Sequence, residues 1–142
     1  MEINILYITI LVNIITTYLI IISKSNDKYL LLFGLVGQYI LIYGDLYKND
    51  FMIRISHVFF TLVVVIGSFC ICEKNNLLLI ILLIISRFLS YIIFDGCLFN
   101  IMSNNHILNI EKITKIHDYV NWHYVYTILL IMSVYRFKYI LK

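Results

Sequence analysis

Apolar residues fill the chain in five long stretches, and charged or strongly polar residues separate them. The stretches cover residues 3–23, 29–44, 55–72, 77–94 and 119–135. A helix of roughly 20 mostly apolar residues is long enough to cross a hydrocarbon core about 30 Å thick. The pattern predicts an all-α, polytopic integral membrane protein, with about five transmembrane helices in a single domain over residues 1–142.

Short polar connections join the first four predicted helices, so we expect consecutive helices to pack as antiparallel neighbours. The connection before the last helix has a different character. Within residues 103–117, isoleucine recurs at every third position, with polar and charged residues between, at Ile107, Ile110, Ile113 and Ile116. This spacing predicts a short amphipathic segment that lies on the membrane surface or against a partner.

Composition agrees with a membrane location. The chain is 62% hydrophobic and 13% charged, whereas soluble domains are roughly 45–50% apolar and about 25% charged. It contains no proline and no alanine, and the codons of both residues begin with two G or C bases. This bias indicates a very AT-rich genome, such as that of an organelle, a parasite or symbiont, or a large DNA virus. We therefore expect an organellar inner membrane or a viral membrane.

The positive charges are dispersed along the chain. The formal net charge is +3, but no cluster of four or more Lys or Arg residues forms. We therefore expect no nucleic-acid partner, and expect the lipid bilayer and other membrane protein subunits instead. With five crossings, an outside N-terminus places six basic residues inside and four outside. The positive-inside rule then favours an N-out, C-in orientation.

Arg87 is the one charge inside an apolar stretch. Its insertion cost is roughly 2.5–3.5 kcal/mol, so the side chain should face protein or water. Arg87, Tyr91 and Asp95 follow i, i+4, i+8 spacing and predict one polar stripe on the fourth helix. As a functional site, the stripe would line a proton or ion path, or bind an anionic headgroup or a quinone. As structure, Arg87 would be satisfied by Gln38, by tyrosine hydroxyls or by another subunit's carboxylate.

Small and polar residues also lie in the middle of two predicted spans. They are Gly34, Gly37 and Gln38 in the second stretch, and Gly67 with Ser68 in the third. Residues of this kind favour close helix crossings and interhelical hydrogen bonds in membranes. We expect them to mark crossings rather than ligand contacts.

Two histidines lie just inside the ends of predicted helices on the same membrane face, His57 in the third and His123 in the fifth. One interpretation is that they ligate a b-type haem. The other is that both are interfacial histidines whose ring N–H groups meet water, headgroups or backbone. No His-Glu-x-x-His, Cys-x-x-Cys or Gly-rich phosphate loop occurs, so we expect no metal site and, haem apart, no cofactor.

The sequence His117-Asp118-Tyr119-Val120, followed by an apolar helix, resembles a short element of a known family. It is similar to the Asp-Tyr element before the last helix of the small membrane anchor subunits of succinate dehydrogenase. In that family the Asp-Tyr pair lies near the quinone site, so the resemblance implies a quinone site at Asp118 and Tyr119. That family has three helices, and the polar stretch 103–117 has no place in its pattern.

We therefore expect a small accessory membrane subunit that packs within a larger assembly, such as an organellar respiratory complex or a membrane-containing virion, with no catalytic activity of its own. The first alternative is a haem- or quinone-binding membrane anchor that uses His57, His123, Asp118 and Tyr119. The second alternative is a component of a proton or ion pathway that uses Arg87 and Asp95.

Overall fold

Five α-helices form the computed structural model of this protein, which describes residues 5–94 and 121–140. They are α1 (Ile5–Ile22), α2 (Asp27–Leu46), α3 (Asp50–Cys70), α4 (Lys74–Phe94) and α5 (Trp122–Tyr135), and a π-helical turn, Arg136–Ile140, continues α5. No β-strand occurs in these residues, which confirms the all-α prediction for them. The predicted amphipathic segment 103–117 lies outside the described residues, as do Asp95, Asp118 and Tyr119.

Three of these helices, α2, α3 and α4, are long and apolar enough to cross a membrane. This finding supports an integral membrane location. The apolar part of α1, Tyr7–Ile22, is shorter, and α5 has 14 residues. Three of the five predicted spans therefore have sufficient length and apolarity, and the five-span topology stays a prediction.

Helices α2, α3 and α4 begin earlier than their apolar stretches. Helix α2 starts at Asp27 and has 20 residues, so it is not the short helix that the stretch 29–44 predicted. Polar residues stabilise the first turn of a helix, because four backbone N–H groups there have no partner within the helix. The Asn49 side chain, for example, accepts a hydrogen bond from the Met52 N–H at the start of α3. The charged residues Asp27, Asp50 and Lys74 therefore belong to the first turns of α2, α3 and α4, and do not precede these helices.

The helices run alternately up and down. The residues before α2 contact the residues before α4, since Ser23 donates a hydrogen bond to Glu73 at 3.0 Å. Arg136, directly after α5, donates to the backbone of Ser68 and Ile71 at the end of α3. These contacts define the capped end of the bundle. The opposite, distal end carries the α2–α3 turn, the end of α4 and the start of α5.

Glycines allow α2 and α3 to approach closely. An added Cβ at Gly37 would lie 2.6 Å from Phe59 Cβ, and one at Gly44 would lie 3.0 Å from the Ile53 backbone nitrogen. At Gly67, on α3, an added Cβ would lie 2.8 Å from the tip of Ile80 on α4. The predicted crossings at Gly37 and Gly67 are therefore confirmed.

The largest buried cluster lies between α3, α4 and α5. Its fully buried members include Val64, Ile80, Ile84 and Tyr126. A smaller cluster joins α1, α2 and α4 through Leu19, Leu31 and Leu79. The apolar stretches of the sequence do not show which helices meet in it. Many large apolar side chains point away from both clusters, as expected where the surrounding solvent is hydrocarbon.

Candidate functional site

Asp27 is a buried carboxylate at the capped end, although it is the first residue of α2. Its two oxygens each accept a hydrogen bond from the Cys72 backbone N–H at 3.0 Å. One of them also accepts from the Glu73 backbone N–H at 2.8 Å. Asp27 therefore satisfies the N–H groups that precede α4, a different helix, and places negative charge at the positive end of its dipole.

Glu73 does the same for α2 from the opposite side. Its Oε1 accepts hydrogen bonds from the backbone N–H groups of Lys24 at 2.7 Å and Ser25 at 2.6 Å. The Ser23 hydroxyl donates to the same oxygen. Asn26, the N-cap residue of α2, makes no side-chain cap. The Ser25 hydroxyl accepts from the first N–H of the helix, that of Asp27, at 3.1 Å, and Glu73 binds the connection before it. We call Asp27 and Glu73 the reciprocal caps.

Asn76 links the reciprocal caps from the first turn of α4. It is fully buried, and its Nδ2 lies 3.3 Å from an oxygen of Asp27 and 3.3 Å from an oxygen of Glu73. The same nitrogen lies 3.2 Å from the Ser23 hydroxyl. One amide therefore links two carboxylates, one in the first turn of α2 and one directly before α4.

The pKa of Glu73 shows the balance of these effects. Burial raises the pKa of this carboxyl group, but hydrogen bonds from Ser25, Ser23 and Lys24 outweigh burial, and the pKa lies below the ordinary value of 4.5. The folded protein therefore stabilises the charged form of Glu73. Because the pKa is lowered on folding, Glu73 contributes stability above the ordinary pKa, and this contribution is lost as the pH falls through the lowered value.

Arg136 completes the capped end. Its two terminal nitrogens donate hydrogen bonds to the carbonyl oxygens of Ser68 and Ile71, the latter at 2.6 Å. The last carbonyls of a helix have no partner within it and carry partial negative charge. Arg136 therefore caps α3 and holds the end of α5 beside it.

Arg87 lies in a second polar region, at the α4–α5 junction in the distal half of the bundle. The side chain is 7% exposed, which confirms that it faces protein. Its guanidinium carbon lies 4.0 Å from the ring centroid of Tyr126 on α5 and 5.0 Å from that of Tyr91, one turn along α4. The charge therefore rests between two aromatic faces, an attractive arrangement when desolvated.

These ring faces hold Arg87 without using its N–H donors. Nε and Nη1 are buried and have no hydrogen-bond partner among residues 5–94 and 121–140. The one ion pair in that part of the chain joins Lys48 and Asp45. The tyrosines thus contact Arg87 through their rings, and not through the predicted hydroxyl bonds.

Gln38 does not satisfy Arg87 either. Its Nε2 donates to the Thr16 hydroxyl of α1 at 3.0 Å, and its Oε1 is buried without a partner in the described ranges. Thr16 is itself buried and donates to the Val12 carbonyl. Gln38 therefore marks the α1–α2 crossing, as its mid-span position predicted.

The two histidines occupy different environments. His123, in the first turn of α5, is exposed, and its ring packs edge-on against Tyr91 with centroids 4.6 Å apart. His57 is half-buried on α3. Within the residues that the structure describes, no group of three or more His, Cys, Asp or Glu side chains could hold a metal ion. The haem and quinone expectations stay predictions.

The sequence pattern missed the reciprocal caps and the contact of Arg87 with Tyr126. A signal for the caps was present. Asp27 and Glu73 are acidic residues at the starts of two predicted helices, and an up-and-down topology puts both starts on one membrane face. Acidic residues at helix starts are favourable cap candidates. Tyr126 carried no such signal, because an aromatic near a helix end also fits an interfacial belt.

No family model, curated protein or solved structure matches this chain.

Proposed function

We propose that this protein is a small accessory subunit that packs within a larger membrane assembly. The observation that supports this proposal is that charged side chains at the capped end are already bound within the protein. Asp27, Glu73 and Arg136 all bind the backbone of neighbouring helices or connections. Charged groups that are already bound to backbone hold neighbouring helices in one arrangement, whereas a substrate site needs polar groups that remain available to a ligand.

Two further features favour a packing role. The lateral surface of the described helices is rich in large apolar side chains, so other membrane helices and lipid can both cover it. The isoleucine repeat of residues 103–117 predicts an additional surface for a partner. An organellar respiratory complex and a membrane-containing virion are the settings that the composition favours.

Gentle extraction from the native membrane, followed by a native gel with an absorbance spectrum of the same band, tests this proposal. We expect a colourless complex several times larger than the 16.8 kDa chain. As a control, the chain expressed alone in the same detergent should migrate as a small species. If the native protein also migrates alone in two mild detergents, the accessory role is wrong. A Soret band that His57→Ala and His123→Ala both remove would establish the haem alternative instead.

A further inference from the structure

We propose that the α4–α5 junction at Arg87 binds the phosphate group of an anionic phospholipid, in the leaflet at the distal end of the bundle. This site is independent of the accessory role, because it needs only this chain and a bilayer. Position, hydrogen-bonding capacity and surroundings each support it.

The position of Arg87 suits a headgroup. Its Cα lies about two turns, or roughly 10 Å, before the end of α4 at Phe94. Both rings that flank the guanidinium come from residues nearer that end, because Tyr91 follows Arg87 by one turn and Tyr126 lies in the second turn of α5. An arginine at this depth is long enough to extend its guanidinium towards the interface.

The hydrogen-bonding capacity of Arg87 is unused in the described part of the chain. Nε and Nη1 have no acceptor there, and buried charged donors without acceptors are costly. A phosphate group offers several charged oxygens to one planar guanidinium, a pairing with strong, charge-assisted hydrogen bonds. Arg87 is 7% exposed, and Nε and Nη1 are buried, so a phosphate oxygen has to displace part of the packing around the guanidinium to reach them.

The surroundings resemble an interface. Trp122 lies beside Tyr126, with ring centroids 6.4 Å apart, and Tyr124 is exposed on the same turn of α5. Tryptophan and tyrosine are enriched where membrane headgroups meet hydrocarbon. No carboxylate in the described ranges forms an ion pair with Arg87.

Trp122 is the only tryptophan of the chain and serves as a native reporter. The full chain is placed in phosphatidylcholine vesicles that contain an equal fraction of either brominated phosphatidylglycerol or brominated phosphatidylcholine, since bromine quenches nearby tryptophan fluorescence. We expect about a fivefold preference for the anionic lipid at Trp122, as for one arginine near a charged surface. Arg87→Gln should remove this preference.

Lys48→Gln is the matched control, because Lys48 is an exposed cation in the α2–α3 turn at the same end of the bundle and its Nζ already pairs with Asp45. It should leave the preference unchanged. If Arg87→Gln fails to insert, Arg87→Lys replaces it and should reduce the preference, since an ammonium lacks the planar donor set.

Three results would overturn the proposal. Equal quenching by the two lipids would show that the isolated chain has no anionic-lipid site, and would favour a carboxylate, either a partner's or that of Asp95, as the acceptor. A preference that survives both Arg87 variants would place the site elsewhere. Displacement of the brominated anionic lipid by millimolar inorganic phosphate would identify a free anion, rather than a lipid, as the ligand.

Discussion

Replacing Asp27 with alanine should lower the free energy of unfolding by about 2–4 kcal/mol. The variant removes the acceptor for the backbone N–H groups of Cys72 and Glu73 and for the buried Asn76 amide. Each of these donors then has to be satisfied by water or remain unpaired at the start of α4. Denaturation in mixed micelles of a mild detergent and sodium dodecyl sulfate measures the change.

Asp45→Ala is the matched control for this variant. Asp45 is an acidic residue near the other end of α2, and its ion pair with Lys48 is exposed to solvent at 3.4 Å. Such pairs contribute about 0–1 kcal/mol. Asp27→Asn keeps one acceptor oxygen and should recover part of the loss. If Asp27→Ala destabilises the protein no more than Asp45→Ala does, the reciprocal caps do not hold the helices together.

Replacing Gly37 with alanine should destabilise the α2–α3 crossing by about 1–3 kcal/mol. The new methyl group would lie 2.6 Å from Phe59 Cβ, an atom fixed to the backbone of α3. Phe59 cannot rotate away freely, because its ring stacks on Phe33 with centroids 4.4 Å apart. The helices themselves must therefore separate, and the same denaturation experiment should detect it.

Gly34→Ala, one turn earlier on the same helix, provides the comparison. An added Cβ there would lie 3.4 Å from a methyl group of Val63, which is ordinary contact. Alanine also has a higher helix propensity than glycine, by about 1 kcal/mol. Gly34→Ala should therefore be neutral or stabilising. Equal effects of the two variants would contradict the close approach at Gly37.

The sequence predicted the helices well because apolar stretches between charges reflect the bilayer directly. The sequence predicted the ends of the helices less accurately. The stretch 29–44 excludes Asp27 and Lys28, yet both belong to the first turn of α2. A charge is costly inside the membrane but favourable at a helix start. The hydropathy pattern reflects only the first of these effects, so it excludes charged residues that belong to the helix.

Local spacing predicted contacts within one helix, and not contacts between helices. The i, i+4 spacing of Arg87 and Tyr91 correctly places them beside each other. The contacts of Arg87 with Tyr126, of Gln38 with Thr16, and of Asp27 with the start of α4 join residues far apart in the chain. They depend on the rotation and depth of each helix, which the packing of the glycine and buried apolar positions decides.

We expect α2, α3 and α4 to cross a membrane with both reciprocal caps on one face. Labelling with a membrane-impermeant thiol reagent tests it in sealed vesicles, after Cys70, Cys72 and Cys97 are replaced by serine. Lys24→Cys, Lys74→Cys and Lys48→Cys each report an exposed position, the first two at the capped end and the third in the α2–α3 turn. We expect the first two to react from one side of the membrane and the third from the other. Reaction of all three from the same side would contradict it.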